Sequence, residues 1–178
     1  MERFFVFVLL TVLALSACSQ TGQEQSEDLA QREALMEKLE GLEQQLIKAE
    51  DVRKEDSAAR EYIAACTTFQ NSYPSDTLSD RYLFRAADVA RGLGEYGVAI
   101  KLWGQLWRTY PDAERAPDAL FLQGFTYDND LQDAEMASRY YQKFLDNYPD
   151  HPYSGQAEQL LKVLDRSPEE LIREFEKK

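Results

Sequence analysis

The side chains that most often carry enzymatic chemistry are scarce in this 178-residue chain, which has one histidine and two cysteines. The histidine, His151, lies between Asp150 and Pro152 with no nucleophile or second metal ligand beside it in the sequence. Zinc sites and disulfide frameworks need several closely spaced histidines or cysteines. The sequence also lacks glycine-rich phosphate loops and the common hydrolase motifs. We therefore predict a protein that is not an enzyme and needs no cofactor, with His151 in a loop.

Four acidic residues between positions 128 and 135 suggest a calcium loop, and this possibility can be tested against the known spacing. An EF-hand loop that starts at Asp128 needs glycine at its sixth position and glutamate at its twelfth. Asp133 and Arg139 stand there instead, and an arginine cannot ligate a cation. The sequence predicts a solvated turn and no metal site.

The amino-terminal segment is apolar and is followed by Cys18. Its apolar run, Phe4 to Leu15, is too short for a bilayer core of about 30 Å, which takes about 20 helical residues. With Arg3 ahead of this run, residues 1–17 are predicted to be a signal peptide.

The sequence Leu15-Ser16-Ala17-Cys18 resembles the lipobox of bacterial lipoproteins. This resemblance implies cleavage before Cys18, a diacylglycerol joined to its sulfur by a thioether, and an acylated amino terminus that anchors the chain. Ordinary secretion with cleavage nearby is the alternative. Ser19 stands where aspartate would resemble an inner-membrane retention signal, which favours a periplasm-facing outer-membrane lipoprotein.

The net charge of −12 argues against nucleic acid as a partner, because phosphates require a basic surface. Loss of residues 1–17 removes only Glu2 and Arg3, one charge of each sign, and the charge stays at −12. Anionic lipid headgroups should repel such a body, so that attachment depends on the lipid anchor. Cys66 is predicted to be a small buried core residue and not a reactive thiol.

The polar residues 18–27 are predicted to form a flexible tether from Cys18, and residues 28–56 an amphipathic helix. Apolar residues in this helix recur at spacings of four and three, namely Leu35, Leu39, Leu42, Leu46 and Ala49. This seam spans about two heptads, with a helix-weakening glycine at Gly41. It permits two interpretations: a coiled coil that forms a homo-oligomer, or a helix that packs on its own domain.

Residues 57–178 show a repeat. Tyr73-Pro74, Tyr110-Pro111 and Tyr148-Pro149 recur at intervals of 37 and 38 residues. An aromatic helical stripe precedes each pair, and a second amphipathic segment follows at about 79–92, 117–128 and 153–164. Each period is therefore predicted to be two helices and a turn. Ser167-Pro168-Glu169-Glu170 is a capping box for a final helix at 168–177, which should cap the stack.

Small residues in the helices indicate where neighbouring backbones approach closely. Ala87 pairs with Ala99 in this prediction, and Gly124 pairs with Ala137. Gly94 is predicted to form the turn between two helices, and Asp133 to cap the helix that follows it.

Small, aromatic and proline residues at these offsets resemble the tetratricopeptide repeat. Its signature positions match Leu83, Ala87, Ala90, Ala99, Trp103 and Pro111, and in the next repeat Leu120, Gly124, Tyr127, Ala137, Tyr141 and Pro149, if one residue is inserted near Asp130. The resemblance implies an all-α, right-handed solenoid of antiparallel helix hairpins, with about two full repeats and flanking capping helices. The long repeats with Tyr-Pro junctions also resemble those of the periplasmic BamD family and the Tol–Pal-associated division coordinators.

The family's concave groove positions fall on Phe84, Asp88, Arg91, Phe121, Phe125 and Asp128. An aromatic and acidic groove suits a peptide with apolar anchors and basic residues. The peptide-carboxylate clamp of some members is not expected, because Asp88 and Phe121 replace its amide and basic residues. Alternatively, the phenylalanines lie buried under the helix at 28–52.

The sequence thus predicts a lipid-anchored periplasmic scaffold that binds a protein or peptide partner at the cell envelope. The resemblance suggests a role in outer-membrane assembly, or with Tol–Pal, cell-wall or division proteins. The alternatives are an oligomeric structural protein assembled through residues 35–49, and a hydrolase of envelope polymers, which would need clustered acids in a deep cleft.

Overall fold

The computed structural model describes the backbone of residues 2–49 and 51–165, and the side chains of residues 23–49 and 51–165. The helices are α1 (Glu2–Lys48), α2 (Asp56–Ser72), α3 (Ser79–Gly92), α4 (Tyr96–Thr109), α5 (Ala116–Phe125), α6 (Ala134–Asn147) and α7 (Ser154–Leu164). A 3₁₀ turn at Val52–Glu55 precedes α2, and a π turn at Thr126–Asp130 follows α5. The described ranges contain no β-strand. The predicted all-α fold is confirmed, while the capping helix at 168–177 lies outside these ranges.

Consecutive helices pack on each other from α1 to α7, which makes the body a stack of helix hairpins. Its core consists of two clusters of buried side chains. One joins α1 to α4 and includes Leu39, Phe69 and Trp103, and the other joins α5 to α7 around Phe121 and Tyr141. The solenoid expected from the repeats is therefore present.

The Tyr-Pro pairs end the second helix of each hairpin. The tyrosines at 73, 110 and 148 have nearly the same backbone conformation, with φ of −127°, −127° and −135° and ψ close to 60°. Each tyrosine N–H still donates to the carbonyl four residues earlier, at 2.8 Å. The residue before a proline is disfavoured in the helical conformation, so the helix cannot continue past this point. The chain then turns into the next hairpin.

The small residues that were predicted at helix contacts lie in the interior of the stack. Ala87, Ala99, Gly124 and Ala137 are all buried. A Cβ atom on Gly124 would lie 2.9 Å from the Tyr141 ring, which shows how closely α5 approaches α6 there. Gly94 has φ of +80° between α3 and α4, as its predicted turn requires.

The turn before α6 contains two predicted features. The side chain of Asp133 accepts a hydrogen bond from the Met136 N–H at 3.0 Å and so caps α6. The extra residue expected near Asp130 is accommodated by the π turn, in which the Leu131 N–H donates to the Thr126 carbonyl at 3.0 Å. A π turn takes up one more residue than an α-helical turn, and such turns are frequent at functional sites.

The predicted flexible tether differs from the structure, in which residues 18–27 continue helix α1. No proline interrupts residues 2–48, and an established helix propagates through a single glycine such as Gly22 at a cost of about 1 kcal/mol. Side chains at 23–30 are exposed, and α1 meets the body from Asp28, whose carbonyl accepts from the Tyr73 hydroxyl at 3.2 Å. The segment ahead of Cys18 is still attached here, so cleavage and lipidation stay predictions.

The leucine seam of α1 packs on its own chain. Leu39 is fully buried, and Leu35, Leu42 and Leu46 pack against the same cluster as the side chains of α2 and α3. An ion pair of 2.6 Å between Arg32 and Asp76 adds to this packing. The seam therefore packs on its own domain, as the second interpretation predicts.

Candidate functional site

The first helices of the hairpins, α1, α3 and α5, share one face with the start of α7, and this face carries three adjoining depressions. The aliphatic depression, of about 320 Å³, lies between the end of α1, the 3₁₀ turn and α3. It is lined by Glu43, Leu46, Ile47, Val52, Tyr62, Arg85, Asp88 and Val89. Ile47 is 74% exposed, which makes it the most exposed large apolar side chain in the described part of the chain.

The second, polar depression has about 400 Å³ and is lined mainly by Asp88, Arg91, Tyr96, Trp103, Leu122 and Asp130. The third, aromatic depression has about 360 Å³ and is lined mainly by Phe84, Arg115, Phe121, Leu122, Phe125 and Tyr153. Asp88 borders the first two depressions, and Leu122 borders the last two. The three depressions therefore form one continuous surface, which we call the groove.

Five of the six predicted groove residues line this surface. Phe84 and Phe121, however, are more deeply buried than residues that contact a partner are expected to be. Phe84 is 7% exposed and Phe121 5%, so both form the floor of the aromatic depression. Phe121 packs on Tyr153, Tyr141 and Phe144, with ring centroids 4.9 to 5.6 Å apart.

The alternative interpretation, burial under α1, applies in part to Phe84, which belongs to the buried cluster that includes Leu39 of α1, but the aromatic depression itself is not covered by α1. No α1 residue lines the aromatic depression. The guanidinium of Arg115 lies 4.8 Å above the Phe84 ring instead, and that of Arg91 lies 5.0 Å above the Phe125 ring. The depression therefore remains open between these side chains, with the half-exposed Tyr153 on its rim.

Asp128, the sixth predicted residue, lines none of the three depressions. Its carboxylate accepts a hydrogen bond from the Tyr141 hydroxyl on α6 at 3.2 Å. Asp130 lies in the groove, where it accepts from Arg91 Nε at 2.6 Å. The π turn explains why Asp130 and not Asp128 lies in the groove, because it changes the direction of the side chains that follow α5.

Asp88 has an unusual electrostatic environment. Burial among its neighbours raises the pKa of this carboxyl to about 6, although Arg115, Arg91 and Arg85 act in the opposite direction. Its side chain is still accessible to solvent. The indole N–H of Trp103 also favours the charged carboxylate without reaching hydrogen-bond geometry, and the indole nitrogen has no partner among the described residues.

Several groove residues were not predicted from the sequence, among them Ile47, Arg115 and Tyr153. Ile47 follows Leu46 of the seam directly, so that its side chain points away from the face that packs on the body. An apolar residue outside the leucine seam was thus the sequence signal that could have identified Ile47 as a groove residue. Arg115 and Tyr153 lie in the turns before α5 and α7, where no helical periodicity identifies a face.

Cys66 and His151, the side chains that could carry chemistry, are both packed among structural residues. Burial raises the pKa of the Cys66 thiol to about 12, which confirms the predicted core residue. His151 lies in the turn before α7, with Nε2 3.8 Å from a carboxylate oxygen of Asp118 and its ring edge-on to Phe144. Within the described ranges, no three acidic, histidine or cysteine side chains converge as a metal site would require.

Comparisons with known proteins identify the repeated part of the chain. Residues 81–113 and 118–151 match the tetratricopeptide repeat, each covering one helix hairpin, α3–α4 and α5–α6. A comparison with curated proteins found no match. Among the helices of the described part, none carries an apolar stretch long enough to cross a bilayer.

Proposed function

We propose, from the premise that the chain carries two tetratricopeptide repeats, that it is a scaffold which holds a segment of a partner protein in the groove. Tetratricopeptide repeats generally mediate protein–protein interaction, with their first helices lining the binding surface. The observation that carries the proposal is the continuity of the three depressions across α1, α3, α5 and the start of α7. A partner segment can therefore contact several helices at once.

The size of the groove sets the kind of ligand. Packed helices lie about 8–10 Å apart, so a groove that crosses four of them is about 25–30 Å long. An extended strand covers this length with about eight or nine residues at about 3.3 Å each. Apolar side chains of such a segment would occupy the aliphatic and aromatic depressions, where Ile47 and Tyr153 are exposed on the rims.

We further propose that the scaffold is a lipoprotein of the outer membrane that faces the periplasm. Support comes from the apolar run, from the sequence Leu15-Ser16-Ala17-Cys18 and from Ser19 after the cysteine. The charge of −12 gives the body no electrostatic attraction to anionic lipid, so a diacylglycerol on Cys18 would supply the attachment. The partners we propose are envelope proteins of outer-membrane assembly, Tol–Pal, cell-wall synthesis or division.

Two experiments test the two parts of this proposal separately. Metabolic labelling with a palmitate analogue in a Gram-negative bacterium should label the wild-type chain and not Cys18→Ala. An unlabelled wild-type chain would refute the lipid anchor and leave the groove untouched.

Photocrosslinking in the same cells tests the groove. A photoreactive residue at Ile47 or Tyr153 should give one discrete adduct of the same mass, whereas the same residue at Leu131 should give none. Leu131 is a matched control because it is 44% exposed and lines none of the depressions. Equal adducts from all three positions, or none, would refute binding in the groove.

A further inference from the structure

Most of the charged side chains along the groove already have partners. Glu43 on α1 forms an ion pair with Arg85 on α3. Arg91 binds Asp130 at 2.6 Å, and Asp118 lies 3.8 Å from His151. The two arginine–carboxylate pairs satisfy each other and offer a ligand little net charge, whereas the longer contact of Asp118 is an ion pair only when His151 is protonated.

Asp88 and Arg115 are the exceptions. Across the described side chains, neither Asp88 nor Arg115 forms an ion pair within 4 Å. Arg115 lies on the face of Phe84, from where it attracts the Asp88 carboxylate through space. Each of these two charges therefore faces the groove without a direct ion-pair partner.

The two charges have different positions along the groove. Asp88 lies where the aliphatic and polar depressions meet, one helical turn from Phe84 on the same helix. Arg115 borders the aromatic depression. Asp118 borders the same depression, so that end of the groove carries one charge of each sign, while Asp88 offers a carboxylate without an ion-pair partner at the centre.

Asp88 also gains from a cationic partner. A carboxylate that is partly dehydrated and has no ion-pair partner is unfavourable in its charged form, as its raised pKa shows. A lysine or arginine that approaches from a ligand replaces the lost hydration with a charge-assisted hydrogen bond. A carboxylate from a ligand would be repelled at the same point.

We infer that the groove selects a partner segment in which a lysine or arginine stands between two apolar residues. The basic side chain pairs with Asp88, one apolar side chain fills the aliphatic depression beside Ile47, and the other fills the aromatic depression beside Tyr153. Arg115 competes with this basic side chain, because it attracts the same carboxylate. This inference rests on the proposed function and specifies the partner of the same groove.

A random 12-residue peptide library displayed on phage tests the inference, with the chain from Ser19 to Lys178 as the target. Peptides that bind the groove should share a lysine or arginine flanked by apolar residues. A synthetic consensus peptide should bind Asp88→Asn at least fivefold more weakly than wild type. Asp80→Asn is the matched control, because it removes the same charge from the same helix outside the three depressions. Replacing the peptide's basic residue by norleucine should lower affinity for wild type but not for Asp88→Asn.

The outcomes separate the inference from the proposed function. Peptides that lose binding on Ile47→Glu but contain no preferred base, or that bind Asp88→Asn as tightly as wild type, would overturn the inference and leave the groove as a binding site. If no enriched peptide is sensitive to Ile47→Glu, the inference and the proposed function both fail. Arg115→Gln should bind the basic consensus peptide about twofold to threefold more tightly because it removes the competing charge, and unchanged or weaker binding would refute this role of Arg115.

Discussion

The close contact between α5 and α6 predicts that Gly124→Ala destabilises the protein. Alanine favours a helix over glycine by about 1 kcal/mol. The new Cβ, however, would lie 2.9 Å from the Tyr141 ring and 3.3 Å from the Cβ of Tyr140. Tyr141 is fully buried and its hydroxyl is bound to Asp128, while the Tyr140 Cβ is fixed to the backbone of α6. The overlap can therefore be relieved only if α5 and α6 move apart.

Such overpacking costs roughly 1–3 kcal/mol, which exceeds the gain in helix propensity. We expect a net loss of about 1 kcal/mol. Gly41→Ala is the matched control, because Gly41 is exposed within α1 and its Cβ would meet nothing within 4 Å. That variant should gain about 0.5–1 kcal/mol from propensity alone.

Urea denaturation followed by circular dichroism, on the chain from Ser19, measures both variants. The two should differ by about 1.5–2 kcal/mol in the free energy of unfolding, or by about 4–8 °C in Tm. If Gly124→Ala were as stable as Gly41→Ala, α5 and α6 would not meet at this glycine, and the packing of the second repeat would be wrong.

Other changes test the core, the groove and the thiol. Leu39→Asp should lower the free energy of unfolding by roughly 4 kcal/mol because its site is fully buried, whereas Leu29→Asp, at a position 58% exposed in the same helix, should cost little. If Leu39→Asp instead dissociated an oligomer and left the stability of the chain unchanged, the packing of the seam would be contradicted. Asp88→Asn should be more stable than wild type by roughly 0.5 kcal/mol above pH 6, since the raised pKa means that ionisation destabilises the fold and solvent screens the effect. That difference should shrink as the pH falls through 6 and vanish near pH 3, where the carboxyl is mostly protonated in the unfolded chain as well, and a constant difference in melts across pH 3–8 would refute the ionisation argument. Cys66 should react with a water-soluble disulfide reagent at pH 8 only after unfolding, and rapid reaction of the native chain would contradict its burial.

The features of the fold that could be predicted from the sequence are those with local causes. Each Tyr-Pro pair ends a helix through backbone sterics, and Gly94 forms a turn because only glycine readily takes its positive φ. The extra residue near Asp130 was visible as a gap in the repeat spacing. The helical course of residues 18–27 could not be predicted, because composition cannot show whether a neighbouring helix propagates through a polar segment.

The groove was predicted in outline, and its chemistry was not. Phe84 and Phe121 fall on the correct face, but their depth depends on Arg115 and Tyr153, which approach from turns distant in the sequence. Asp128 was predicted as a groove residue, but the structure places Asp130 in the groove instead, because a π turn alters side-chain direction without any signature in residue type. The free charge of Asp88 follows from which acids are already paired, a property of the whole surface.

The helical course of residues 18–27 has a mechanical consequence if Cys18 carries lipid. Ten helical residues span about 15 Å at 1.5 Å each, whereas the same residues fully extended would reach about 33 Å. The repeats would then stand on a short stiff post, at a nearly fixed height above the bilayer. A partner would have to present its segment within that narrow layer, so the length of the post would help to decide which neighbours come within reach.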